Sequence, residues 1–395
     1  MIDDYCKRQI DELSFLGMER KSAPILHNGK YIEFTNGKIL LNLSSNDYLG
    51  LVENTELKKR FFDKYPIEKL FMGSCSSRLL TGECKEMREI EERVCKLYNK
   101  EAALVFNSGY HANTGILAAL CADKKSLIVA DKLVHASIID GIKLSGSKFE
   151  RYRHCDYSHL EHLISTNINN YQYIFVVSDA VFSMDGDCTD LNALVSLKQK
   201  YPKIVLYIDE AHSFGVMGKL GLGLCEQIGV IDNIDIIVAP LGKAACSVGA
   251  FAVFGKNIKR FLINKMRPLI YSTALPQINF AWTNYILGQI PYLEQERNNL
   301  YHITNYTREL MTSYFKERTF NNVSSQIIPF LCKDAQECVK IYELLKEEGF
   351  YVPAIRPPTV ASNSCRLRFS LTANMNKEEI LVLCNKLKEK VYATI

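Results

Sequence analysis

The chain has 395 residues, 47% of them hydrophobic and 23% charged, which gives room for two or three domains and excludes a disordered, fibrous or small disulfide-stapled protein. Its 48 Lys and Arg nearly balance 44 Asp and Glu, for a net charge of +4 without a basic run, so there is no electrostatic footprint for nucleic acid or an anionic membrane. Thirteen cysteines, none in a C-x-x-C spacing, argue against structural zinc and for reduced thiols in the cytoplasm.

The first residues, Met1 to Arg8, are polar from the start and lack the charged-then-apolar pattern of a signal peptide. Residues 1–45 read as a helix followed by short alternating stretches at 31–34 and 39–41, and Asn36-Gly37 between them predicts a hairpin. From about 70 to 255, short β-rich apolar runs at 102–106, 126–130, 173–177, 204–208, 234–238 and 250–254 alternate with helical segments. That alternation predicts a mainly parallel sheet with helices on both faces.

The uncharged stretch 102–122 is long enough to span a bilayer, but Asn107, Ser108, His111 and Asn113 interrupt it, so it reads as strand, turn and helix, the helix starting near Ala112. After about 280 come longer helical stretches at 334–348 and 377–392 with strands at 326–331 and 365–371, a smaller α+β unit. The expected division is an N-terminal helix and hairpin segment (1–45), a large α/β domain (46–280) and a C-terminal α+β domain (281–395).

Polar or glycine residues follow each apolar run directly, and in open α/β sheets ligands bind at those strand ends. Asp209-Glu210-Ala211-His212 resembles the DEAH box of a nucleic-acid-dependent ATPase, yet none of the Gly-Lys pairs has the spacing of a phosphate loop. An Asp at a buried strand end can instead hold a ring nitrogen protonated, as pyridoxal phosphate requires of its carboxylate partner; alone, it is equally a helix N-cap. Lys243 stands one strand later, where desolvation would make its amine a usable nucleophile and base. Ser108, Gly109 and Tyr110 lie between a strand and a helix, so their amides can hold a phosphate. His135 is a candidate ring for stacking on an aromatic cofactor, and Ser183 a turn cap or hydroxyl donor.

Taken together, Ser44–Gly50, Gly73–Arg78, Gly109-Tyr110, His135–Ser137, Val181–Asp187, Asp209–His212, Gly242–Ala244, Ser272–Pro276 and Arg366–Arg368 resemble the α-oxoamine synthase family of fold-type I pyridoxal phosphate enzymes, in order along nearly the whole chain. The resemblance implies a homodimer in which Lys243 carries the cofactor, Asp209 pairs with its ring nitrogen, His212 bonds its phenolic oxygen and His135 stacks on it. Ser108, Gly109, Tyr110 and Ser183 would complete the cofactor site, with Ser272 and Thr273 reaching the phosphate of the neighbouring subunit. Arg368 would pair with the amino-acid carboxylate, Asn46 and Thr359 would line the substrate site, and Arg20 would lie near the acyl chain. No metal is implied. The string from Ala354 to Val360 is most similar to that of the family member joining L-alanine to a pimeloyl group, carried on coenzyme A or a carrier protein, in biotin biosynthesis.

Departures from the family pattern are Pro240 for a phosphate-binding threonine, Cys75 and Ser76 for glycines, Met87 near a usual histidine, Asp179 for glutamate and Cys246 for glycine. Losing the threonine hydroxyl removes one charged hydrogen bond, about 1.5–3 kcal/mol. Three readings stay open: the alanine and pimeloyl enzyme, a sister synthase using glycine or serine with another thioester, and a non-catalytic protein on the same fold.

Overall fold

The computed structural model describes residues 1–15, 18–19, 22, 24–319 and 324–392. After helix α1 (Ile2–Phe15), strands β1 (Ile25–Asn28), β2 (Tyr31–Phe34) and β3 (Ile39–Asn42) form an antiparallel meander. Gly37, at φ +79°, takes the left-handed turn conformation between β2 and β3, as Asn36-Gly37 predicts. Helices α2 (Thr55–Lys64) and α3 (Lys85–Tyr98) lead into the large unit.

That unit alternates β4 (Ala102–Phe106), α4 (Gly109–Leu120), β5 (Ser126–Asp131), α5 (Ala136–Ser145), β6 (Lys148–Tyr152), α6 (Tyr157–Asn167), β7 (Tyr173–Asp179), α7 (Leu191–Lys200) and β8 (Ile204–Asp209). Then come α8 (Leu224–Ile228), β9 (Ile236–Pro240), β10 (Ala250–Phe254) and helices α9 (Lys256–Lys265), α10 (Arg267–Tyr271), α11 (Gln277–Gln289) and α12 (Glu294–Tyr314). The seven strands run in the order β4-β10-β9-β8-β7-β5-β6, and β10 alone is antiparallel to its neighbours.

Successive residues of a strand face opposite sides of a sheet, so these strands feed two cores. Val129, Val176, Leu206 and Ile237 pack with α3, α6, α7 and α11, whereas Ile128, Val177, Tyr207 and Val238 pack with α4, α5 and α9. Both faces are covered, which is why the runs read as continuously apolar. Strand β6 escapes the sequence reading because it is an edge strand with polar, largely exposed residues. Strand β9 begins two residues later than the apolar run suggests, since a turn at Ile231–Asn233 precedes it and the Ile234 carbonyl accepts from Lys100 Nζ at 2.8 Å. Helix α4 starts at Gly109 rather than near Ala112, because Ser108 Oγ caps it by accepting from the His111 amide.

The remaining elements are β11 (Ile327–Leu331), α13 (Ala335–Glu347), β12 (Phe350–Tyr351), β13 (Ala354–Ile355), β14 (Arg366–Ser370) and α14 (Lys377–Tyr392). Strand β14 lies between β11 and β13, while β12 pairs parallel with β3 and so ties the N-terminal meander to the C-terminal part of the chain.

Candidate active site

Strand register sets the floor of the site. Asp179 and Asp209 end adjacent parallel strands as direct partners, so two carboxylates meet at the C-terminal edge of the sheet. Asp209 is 2% exposed. Its Oδ2 accepts from Asn113 Nδ2 at 2.7 Å and its Oδ1 from the Ala211 amide at 2.9 Å; Asn113 is itself fixed by the Tyr207 hydroxyl at 2.6 Å. Asp179 Oδ2 accepts the His135 amide at 3.2 Å, while Oδ1 is buried with no protein partner. Burial, reinforced by the charge of Asp209, pushes the Asp179 carboxyl well above the usual carboxylate range.

His212 is buried and holds Tyr48 through Nδ1 at 2.6 Å. The Tyr48 hydroxyl donates its proton to Asn46 Oδ1 at 3.0 Å, so Nδ1 of His212 is the donor to Tyr48 and Nε2 is left as an acceptor. Gln326 Nε2 donates to the His212 carbonyl at 2.8 Å. Burial, with Lys243 and Arg368 adding to it, keeps the imidazole neutral with a pKa well below its ordinary value.

Lys243 follows β9. Burial lowers its pKa, and the Asp209 and Asp179 carboxylates oppose that shift. His135 caps α5 with its own ring, Nδ1 accepting from the Ser137 amide at 3.2 Å and meeting Ser137 Oγ at 2.7 Å. Its residue surface is exposed, yet partial burial of the ring lowers its pKa against the pull of Asp209, with Lys243 also lowering it.

The amides that open α4 face the strand ends, and a twelve-residue helix makes that terminus an anion site. A Cβ on Gly109 would come 2.6 Å from Cγ of Pro240, so only glycine fits where the Pro240 ring closes the cup. Ser108 spends its side chain on the cap, and the exposed Tyr110 donates its hydroxyl to Asp140. Asn107 Nδ2 donates to the Thr273 carbonyl at 2.7 Å, which sets half-buried Ser272 and exposed Thr273 beside the same cup.

Arg368 is not an edge-strand surface residue: it sits on the central strand β14 and is 7% exposed. Its Nε donates to the Ser183 carbonyl at 2.5 Å and a terminal nitrogen donates to Ser370 Oγ at 2.7 Å. Next to it, Arg366 pairs with Asp185.

A cleft of about 890 Å³ opens on Lys243 and is lined also by Asn46, Phe61, Phe62, Ile278 and Trp282. Thr359 is exposed, in the turn after Pro357-Pro358 and outside that lining. Arg20 lies outside the described residues.

Sequence reasoning missed Asn113, whose only signal was a polar residue inside the apolar stretch 102–122. It also missed His154, whose ring nitrogens meet Asp131 at 2.9 Å and Asp187 at 2.8 Å. With Cys155 nearby, Asp131 and His154 have metal-ligand spacing, but both nitrogens of His154 are taken by carboxylates.

A buried carboxylate for a protonated ring nitrogen, an acceptor nitrogen on His212, a lysine amine and a glycine-bounded helix N-terminus together suit an aromatic phosphate-bearing aldehyde. Residues 38–387 match the family model described as Aminotransferase class I and II. A Pasteurella multocida protein named "Putative 8-amino-7-oxononanoate synthase" is 46% identical over 376 residues, 95% of this chain and 96% of its own. One of the same name from Haemophilus influenzae is 45% identical over 379 residues, 95% and 98%. Among solved structures, 8-amino-7-oxononanoate synthase from Francisella tularensis superposes with a TM-score of 0.76 at 30% identity, covering 90% of this chain and 99% of that one. A serine palmitoyltransferase from S. paucimobilis with bound PLP shares the fold, with a TM-score of 0.89 at 23% identity, covering 99% and 97%.

Proposed function

Since the chain belongs to the aminotransferase class I and II family, and within it to the α-oxoamine synthases, we propose that it joins L-alanine to a pimeloyl thioester, releasing CO2 and the free thiol and giving 8-amino-7-oxononanoate for biotin biosynthesis. The observation that carries this reading is the convergence of Asp209 and His212, Lys243, and Arg368 from three segments on one floor, with Asp209, His212 and Arg368 buried. Relatives at 44–46% identity named for this activity support the choice of substrates.

Pyridoxal phosphate, the cofactor, supplies an electron sink next to the α-carbon of the bound amino acid. Asp209 holds the proton on its ring nitrogen, and the Asn113 and Ala211 donors keep that carboxylate aimed. His212 offers Nε2 as acceptor to the phenolic hydroxyl, fixed in that tautomer by Tyr48 and Asn46. Lys243 carries the cofactor; freed by the amino acid, its Nζ takes the alanine α-proton, a task that needs the neutral amine its burial favours. The α-carbon then bonds to the thioester carbonyl carbon as the C–S bond breaks. After CO2 leaves the resulting β-keto acid, Nζ would return its proton to the α-carbon.

Arg368 pairs with the carboxylate through guanidinium N–H groups not already spent on Ser183 and Ser370. His135 would stack on the cofactor ring and help orient the acyl carbonyl. Ser108, Gly109 and Tyr110 would hold the phosphate, Ser183 would offer its hydroxyl to the cofactor, and Ser272 and Thr273 would serve the neighbouring subunit of a homodimer. Asn46 and Thr359 contact substrate, and Arg20 lies near the acyl chain. Thirteen unpaired cysteines suit a cytoplasmic site, and among the described residues no helix is long and apolar enough to cross a membrane.

Mass spectrometry of the product tests the reading. Alanine with pimeloyl-CoA should give 8-amino-7-oxononanoate; a product formed chiefly from glycine or serine would move the assignment to a sister synthase.

A further inference from the structure

One wall of the cleft carries a charge that the chemistry at Lys243 does not use. Lys58, Phe61 and Phe62 occupy positions i, i+3 and i+4 of α2 and all line the cleft, as helical periodicity requires of residues on one face. Phe61 is 2% exposed and meets Trp282 edge to face, with ring centroids 5.1 Å apart. Trp282 Nε1 donates to the carbonyl of Cys246, three residues beyond Lys243, at 2.8 Å. The wall is therefore one packed surface from α2 to the lysine loop. Phe62 is 44% exposed, an open aromatic next to an exposed ammonium.

Lys58 forms no ion pair among the described residues; its charge reaches into the cleft far enough to act on the Cys246 thiol. Among the described residues, Asp47 is the only carboxylate in the lining. Both of its oxygens are occupied, Oδ1 by the Leu51 amide at 2.9 Å and Oδ2 by the Val52 amide at 3.0 Å. An exposed ammonium on the wall is indifferent to a methyl terminus but attracts an anionic one. A chain that ends in an anion satisfies both the aromatic wall and the cation.

We infer that Lys58 binds the free, ionised carboxylate at the far end of the acyl chain, making it the residue that recognises an acid-ended donor. This rests on the reading of the cleft as the thioester site. It goes further in naming the residue that selects an acid-ended chain over an alkyl chain of the same length.

Trp282 is the only tryptophan of the chain and stands in the cleft wall, so its fluorescence reports binding without turnover. Full-length holoenzyme without amino acid is titrated with pimeloyl-CoA and with heptanoyl-CoA, which share carrier and carbon count and differ in the terminal carboxylate. The wild type should bind the pimeloyl thioester about tenfold more tightly. Lys58→Met should abolish that preference while leaving the heptanoyl affinity within about twofold, a result that also shows the variant is folded. Lys58→Glu should instead favour 7-aminoheptanoyl-CoA.

Equal weakening of both thioesters by Lys58→Met would overturn the inference, because the cation would then be serving the carrier's phosphates. A wild type indifferent to the terminal carboxylate would overturn it as well. If binding discriminates as stated but alanine gives no product, the proposed reaction falls and the subsite stands.

Discussion

Tyr48 shows how a residue with no chemistry of its own sets the chemistry of another. Its hydroxyl, spent on Asn46, makes His212 a donor at Nδ1 and an acceptor at Nε2. Tyr48→Phe removes that relay and leaves the buried Nδ1 of His212 unpaired, at roughly 1–3 kcal/mol; thermal melting should show the loss and the visible spectrum of bound cofactor should shift. Because folding depresses the pKa of His212, the unfolded chain takes up a proton that the native one refuses. Its burial is free of cost above the ordinary value of 6.5 and opposes folding as the pH falls below it. A pH series of melting temperatures should therefore fall less steeply between pH 7 and 5 in His212→Asn than in the wild type. Gly109→Ala drives a methyl into Pro240 and should weaken cofactor retention, read by equilibrium dialysis, with little change in fold.

The residues that announce themselves in the sequence are those at strand ends. Asp209, His212 and Lys243 each close an apolar run, so a one-dimensional pattern suffices to place them on one edge of a sheet. Asn113 and Asp179 show in the sequence only as a polar interruption and as a departure from glutamate, because their roles depend on register: one reaches across from a helix to a strand end, the other faces Asp209 only once β7 and β8 pair. Arg368 is expected at the substrate carboxylate from the family resemblance, and the pattern of residues alone does not show that β14 lies between two strands.

At the scale of elements, the segment from Ser183 to Asp187 links the two parts of the molecule. The Ser183 carbonyl and Asp185 hold Arg368 and Arg366 of β14, the Gly186 carbonyl accepts from Ser325 Oγ at 2.7 Å, and Asp187 meets His154 at the far end. Gly186 has φ +72° and its Cβ position is filled by the Ile327 carbonyl. Gly186→Ala should destabilise by more than the roughly 1 kcal/mol of an ordinary glycine replacement, and should raise the KM for the amino acid through Arg368.

Despite partial burial, hydrogen bonds to Asp131 and Asp187 raise the pKa of His154 from 6.5 to about 12. The stability it contributes is complete below 6.5 and is lost as the pH rises toward 12. Denaturant unfolding of His154→Gln against the wild type should show its largest deficit near pH 6, shrinking in alkaline buffer. None of this linkage is legible locally, since Asp131 and Asp187 lie 23 and 33 residues from His154.

For the whole molecule, composition and alternation give the α/β class, but not the return of the chain by which β12 pairs with β3; a two-residue strand carries no periodic signal. The shared site proposed for the dimer predicts that Lys243→Ala and Ser272→Ala/Thr273→Ala, each inactive alone, regain activity when mixed and reassociated. Homodimers that stay inactive on mixing would confine each site to one subunit.

The central claim is that the floor formed by Asp209, His212 and Lys243 binds pyridoxal phosphate and acts on alanine ahead of its homologues. Visible absorbance of the purified protein with cofactor, titrated separately with alanine, glycine and serine and then given pimeloyl-CoA, tests it most directly. The account predicts a band that is lost in Lys243→Ala, responds at the lowest concentration to alanine, and changes transiently when the pimeloyl donor is added. A band that answers chiefly to glycine or serine would contradict the substrate assignment, and no band at all would contradict the site.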